Sequence, residues 1–170
     1  MEESPGTAEH LLSCCDAVYL ALGESAPLLS NDAYVVRVHE MSRSFGAVAL
    51  ALRTYVGESD VAPLAVIKEV LEQAVASDPS GAMTLFAMAL VVGPRLLVSL
   101  RDAREELSAD SEVTALLEQA AQVTVAQLLS IAGVTQSQQN IDDPLWQVEA
   151  RSLMTMVEIS GNAESFGLSR

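Results

Sequence analysis

The sequence predicts an all-α fold: a single-domain bundle of about six helices around an apolar fourth helix that is kinked near Gly93-Pro94. Three observations predict it. Apolar residues recur at three- and four-residue spacing along nearly the whole chain, the period of a helix face. Helix signals fall between the periodic runs, with Asn31, Asp78-Pro79, Ser108 and Asp143-Pro144 as starts and Gly23, Gly57 and Gly133 as stops. No run alternates convincingly with period two, and no strand–helix–strand pattern or internal repeat is present. With 170 residues, half of them apolar, the chain can fill one core without disulfide or metal staples.

The first helix is expected over about 7–22, with Leu11, Cys15, Val18 and Leu22 on one face and Gly23 ending it. The second is expected over about 31–56, capped by Ser30 or Asn31 and closed by Gly57. Its stripe is the most regular in the chain: Tyr34, Val38, Met41, Phe45, Val48, Leu52 and Tyr55, spaced 4, 3, 4, 3, 4, 3. That is a heptad seam, and its opposite side carries Arg37, Glu40, Arg43 and Arg53. The third is expected over about 60–76, with Pro63 in its first turn, where the missing N–H costs nothing. The fourth should start with Asp78 as cap and Pro79 as first helical residue and run to about 107. Gly93-Pro94 should kink or split it. Its 82–100 stretch has a single charge, Arg95, and reads as a buried central helix rather than a membrane span. The fifth is expected over about 108–132, ended by Gly133. A polar stretch containing QSQQN follows, and then a sixth helix over about 143–160. Residues 1–6 and 161–170 read as flexible ends of a bundle domain at 7–160.

The chain carries 23 acids against nine bases, a net charge of −14, and only seven aromatic residues. Such a chain repels phosphate backbones and offers few stacking platforms, which argues against nucleic acid; anionic membrane surfaces are disfavoured by the same repulsion. The acidic, polar N-terminus lacks the basic start and apolar stretch of a signal peptide. The adjacent Cys14 and Cys15 make no disulfide framework and no zinc spacing. Both features point to the cytoplasm.

The search for catalytic chemistry is mostly negative. His10 and His39 are the only histidines, and neither stands in a Glu-x-x-His or His-Glu-x-x-His arrangement. Cys15 lies on an apolar stripe and reads as core filling, with Cys14 toward the edge of the helix face. No nucleophile elbow and no glycine-rich phosphate loop is present. No catalytic residue, metal ligand or cofactor is assigned.

Two function readings remain. The first is a non-enzymatic interaction module, self-associating and offering an acidic surface to a basic protein partner. Its excess charge sits in two blocks: residues 1–32 hold six acids and residues 105–150 eight, with no Lys or Arg in either. Tyr34, Met41, Phe45 and Tyr55 of the seam suit a homodimer interface as well as a core, and Glu105, Glu106, Asp110 and Glu112 are the candidate acidic contacts. Changes near Glu72 should matter less to such a partner. The second reading is a small-molecule binder holding an apolar or fatty-acid-like ligand near Met88, Arg95, Trp146 and Met154.

Overall fold

The computed structural model describes residues 6–57 and 60–136, and side-chain surroundings through residue 129. The expected sixth helix, the polar stretch before it and the tail at 161–170 lie outside these residues, as do residues 1–5. Among the described residues every regular element is helical: α1 (Thr7–Ser25), a short 3₁₀ turn (Ala26–Leu28), α2 (Asp32–Val56), α3 (Ala65–Ser77), α4 (Ala82–Phe86), a π segment (Ala87–Val92), α5 (Gly93–Glu106) and α6 (Ser111–Gln136). The fold is all-α. Since α4, the π segment and α5 follow one another directly, they form one rod, Ala82–Glu106.

Both ends of α2 fall where its capping residues put them. The Asn31 side chain accepts from the N–H groups of Ala33 (3.0 Å) and Tyr34 (3.4 Å), and Gly57 leaves the helix at φ +84°. Antiparallel to it, α1 packs most extensively against α2 and also touches α3 and α5. This three-sided contact widens its buried arc beyond the expected stripe. Leu11, Leu12, Cys14, Cys15, Ala17, Val18, Ala21 and Leu22 are all buried, so Cys14 belongs to the core and not to its edge. Nor does α1 stop at Gly23: it continues to Ser25, because an unfavourable residue for a helix interior is tolerated where a close neighbour needs the space. A Cβ at Gly23 would lie 3.2 Å from Ser42 Oγ on α2.

The start of α3 lies later than its proline implies. Leu64 N–H donates to the Ser13 carbonyl (3.1 Å) and Ser13 Oγ donates to the Ala62 carbonyl (2.6 Å), pinning the approach segment to α1. The residue before a proline also avoids helical geometry. Pro63 therefore precedes the helix. A similar correction applies to Pro79, which sits in a turn. Asp78 accepts from the N–H groups of Ser80 and Met83, Gly81 takes φ +103°, and the rod begins at Ala82.

The expected break at Gly93-Pro94 takes the form of the π segment. Pro94 has no N–H to give Leu90, and its ring crowds that carbonyl. One wide turn absorbs the mismatch, in which Gly93 N–H reaches the Met88 carbonyl five residues back. Rod and α6 meet here: a Cβ on Gly93 would lie 2.4 Å from Leu128 Cδ2. At the other end, Asp110 rather than Ser108 caps α6, accepting from Glu112 N–H (3.0 Å) and Val113 N–H (3.3 Å), and α6 runs through Gly133 to Gln136.

Residues from every described helix join one buried apolar cluster, and the rod contributes to it on most of its faces. Two stretches, Thr7–Leu28 and Ala82–Glu106, are long and apolar enough to cross a membrane by length and composition. In each, 61% of the most apolar window is buried inside the bundle.

Candidate interaction surface

The heptad seam of α2 is core. Tyr34, Met41 and Phe45 are buried together with Val38, Val48 and Leu52, chiefly against α1. Buried there, Tyr34, Met41 and Phe45 are not open to a second copy, contrary to the expectation from their spacing. The spacing that suits a coiled coil suits any long helix packed along another, and spacing alone does not say whose helix the other is. Only Tyr55, at the end of the seam, is exposed. Its hydroxyl donates to Asp110 Oδ2 at 2.9 Å, tying the end of α2 to the cap of α6.

Three of the exposed large apolar residues come together elsewhere, while Leu28, Val36, Leu90 and Leu129 are exposed away from them. Tyr19 and Leu20 on α1 are 42% and 40% exposed, and Leu50 on α2 is 65% exposed. Together with Gly46 and Ala47 they line an open groove of about 570 Å³ between the two helices. Its floor is set by glycine. The Tyr19 ring lies so close over Gly46 that a Cβ there would stand 2.7 Å from Tyr19 Cδ2. Ser42 Oγ donates to the Tyr19 carbonyl at 2.8 Å and holds the two helices at that separation.

Three charged side chains, Asp16, Arg43 and Arg53, complete the groove, so its rim is net basic on an acidic chain. Arg53 pairs with Asp16 across the helices. A narrower groove of about 250 Å³ separates α2 from α6, between Ala47, Val48 and Ala51 on one side and Leu116, Ala120 and Val123 on the other. Gln127 Nε2 donates to Ser44 Oγ (3.2 Å) beside it.

The acidic candidates cluster at the α5–α6 turn. Glu105, Glu106, Asp110 and Glu112 are all exposed. Asp110 is engaged locally as cap and as acceptor for Tyr55, and Glu118 pairs with Arg104 at 2.6 Å. The base-free block of sequence is thus partly balanced by residues just outside it.

The Asp110 carboxyl is held below its ordinary range, first by the Val113 N–H and then by the Tyr55 hydroxyl. The Tyr55 phenol is raised, chiefly because it donates to Asp110. The Asp110 contribution to stability is therefore whole above the unfolded carboxyl value and is lost as pH falls through the depressed folded value. The Tyr55 contribution is whole below the unfolded phenol value and is lost as pH rises through the raised one. Tyr55→Phe should move the Asp110 carboxyl upward in a carbon-detected NMR titration, yet leave it below an ordinary aspartate because the Val113 bond remains. An unmoved value would show that the hydroxyl does not donate to it.

The ligand candidates are not brought together. Met88 is fully buried within the π segment. Arg95 folds back so that Nη1 donates to the Val91 carbonyl at 2.9 Å, and its buried Nε has no partner. Neither groove is lined by either residue, and Trp146 and Met154 lie outside the described residues.

The cysteines are shielded. Burial first, then the neighbouring Asp16, pushes the Cys15 thiol up to about 12; burial first, then Cys15, raises Cys14 well above its usual value. From thiolate fraction alone, Cys15 in the folded protein should react with iodoacetamide at pH 8 about a thousandfold more slowly than a free thiol. Denaturant should restore the ordinary rate, and fast native labelling would contradict this burial.

The chain matches no protein-family model, no curated protein and no solved structure. Among the described residues no group of three His, Cys, Asp or Glu side chains is placed to hold a metal ion. What sequence reasoning missed is the α1–α2 groove. Its signal was present in the apolar Tyr19-Leu20 pair and in Leu50, which interrupts the polar side of α2.

Proposed function

We propose that this chain is a non-enzymatic, cytoplasmic helical interaction module whose principal contact surface is the α1–α2 face. One observation carries the reading. Tyr19, Leu20 and Leu50 stand exposed together around Gly46 and Ala47, so three large apolar side chains coincide on one face. Single exposed apolar residues are ordinary, but a contiguous group with a polar rim is the composition of a protein contact. A partner loses little to desolvation there except at the two arginines, whose guanidinium groups suit carboxylates.

A photo-reactive residue at position 50 tests the reading in the native host. Crosslinking to a protein at position 50, and none at the exposed Glu72 on α3, is the expected result. Equal yields at both positions, or none at either, would remove the reading. The acidic side of the module rests on Glu105, Glu106 and Glu112. Neutralising all three should weaken binding of a basic partner and flatten its salt dependence, whereas neutralising Glu72 should do neither.

A further inference from the structure

We infer that the exposed, uncharged face of α6 is the docking site of the chain's own residues 143–160, returning antiparallel along it. The inference is independent of the α1–α2 reading and starts from the placement of charge. Exposed positions on other helices are commonly charged, as at Glu40 and Arg43 on α2 and Lys68 and Glu72 on α3. From Gln119 to its end at Gln136, α6 has no charged residue. Within that stretch Gln122, Ala126 and Leu129 stand exposed, with Val125 beside them, and Leu129 is 70% exposed. On a chain of net charge −14, a face that is open, largely apolar and uncharged has the composition of a surface that something covers.

The sequence beyond α6 has the matching pattern and the matching length. In the expected sixth helix, Trp146, Ala150, Leu153 and Val157 are spaced 4, 3, 4, with Gln147, Arg151, Thr155 and Glu158 on the other side. Gln122, Ala126, Leu129 and Gly133 of α6 have the same spacing. Six residues, 137–142, separate the two stretches, an ordinary connection between antiparallel neighbours. Residues 119–136 and 143–160 are equally long, each about 27 Å as a helix, so the return ends where charge resumes at Glu118.

The connection also fixes the register. It sets Trp146 opposite Gly133, Ala150 opposite Leu129 and Leu153 opposite Ala126, so a large residue meets a small one at each level. A slip of one turn would set Trp146 on Leu129 and Ala150 on Ala126, crowding one level and emptying the next. Farther on, Met156 comes level with Val123 and Ile159 with Ala120, at the narrow groove between α2 and α6. The tether favours this occupant over a second copy or a different protein, because a short connection holds the segment at a millimolar effective concentration.

Paired-cysteine bridging in the full chain tests this. The native Cys14 and Cys15 are buried and stay out of the reaction. Leu129→Cys/Ala150→Cys is expected to form a disulfide within one chain about tenfold faster or more than Leu129→Cys/Ser160→Cys, because only the first pair comes within bridging distance. Gln119→Cys/Ser160→Cys should match the faster pair although its loop is longer. A loose tail would instead bridge both Leu129→Cys pairs at rates within about twofold, since loop length changes closure entropy only slowly. Circular dichroism melts of the reduced variants are expected to match wild type. Should Leu129→Cys melt early, Ala126→Cys/Leu153→Cys poses the same question one level along. Similar rates for the two Leu129→Cys pairs, or no bridge in either, overturn the inference. Bridges that form between chains overturn it too, and make the cover a second copy.

Discussion

Phe45→Ala should lower the free energy of unfolding by about 3–5 kcal/mol, whereas Leu50→Ala, five residues along the same helix, should change it by no more than about 0.5 kcal/mol. Phe45 is among the largest fully buried side chains and faces α1 from the middle of the seam. Truncation removes a ring from a close-packed core and leaves a cavity that the flanking Met41 and Val48 fill only in part. Leu50 projects from the opposite side, two-thirds exposed, and its removal leaves no cavity. For a domain of this size the first change should reduce the melting temperature by roughly 10 °C and the second by about a degree. Urea denaturation of both variants measures the contrast. If Phe45→Ala were well tolerated and mainly altered association, the seam would be an interface and this packing would be wrong. The two variants therefore separate the buried seam from the exposed face: Phe45 reports on folding, and Leu50 is free to be tested for the proposed contact without loss of fold.

That contrast also shows how far the sequence could be read. The seam was legible because every member obeys one helical period and both caps of α2, Asn31 and Gly57, are local signals carried by single residues. Its burial inside the monomer was not legible, because periodicity describes one helix and says nothing about the surface that covers it. Boundaries failed where a distant partner competes with a local signal. Pro63 is a good first-turn residue, but Ser13 on α1 holds the segment around it in an extended form. Ser108 is a good cap, but Asp110 two residues later also receives the Tyr55 hydroxyl from the end of α2. The α1–α2 groove was not legible for the same reason in a stronger form. Tyr19, Leu20 and Leu50 are unremarkable separately, and they become a surface only once Asp16–Arg53 and Ser42–Tyr19 contacts fix α1 beside α2. Met88 and Arg95 suit a ligand by residue type beside an expected kink, but the chain spends that irregularity on a hydrogen-bonded π turn that leaves Met88 in the core.

Gly93→Ala should destabilise the protein by about 1–3 kcal/mol, and here the sign is more informative than the size. In an ordinary helix interior, replacing glycine by alanine stabilises by up to about 1 kcal/mol, because alanine has less backbone freedom to lose. Gly93 occupies a different setting. A methyl group there would stand 2.6 Å from the Met88 carbonyl oxygen and 2.4 Å from Leu128 Cδ2. The leucine can rotate away at some cost in packing. The carbonyl cannot, because it accepts the Gly93 N–H in the wide turn that Pro94 makes necessary. Relief by rewinding the rod to a regular helix would push the Leu90 carbonyl into the proline ring. The substitution is therefore trapped between a packed neighbour and a backbone turn. Pro94→Ala separates the two causes. It restores an N–H donor and removes the crowding, so a regular helix becomes accessible and the double variant Gly93→Ala/Pro94→Ala should recover part of the loss. A measured stabilisation by Gly93→Ala alone would mean that the segment is an ordinary helix and that α6 does not approach it this closely. A loss unaffected by the Pro94 change would place the whole cost on Leu128, which Leu128→Ala in the Gly93→Ala background would then relieve.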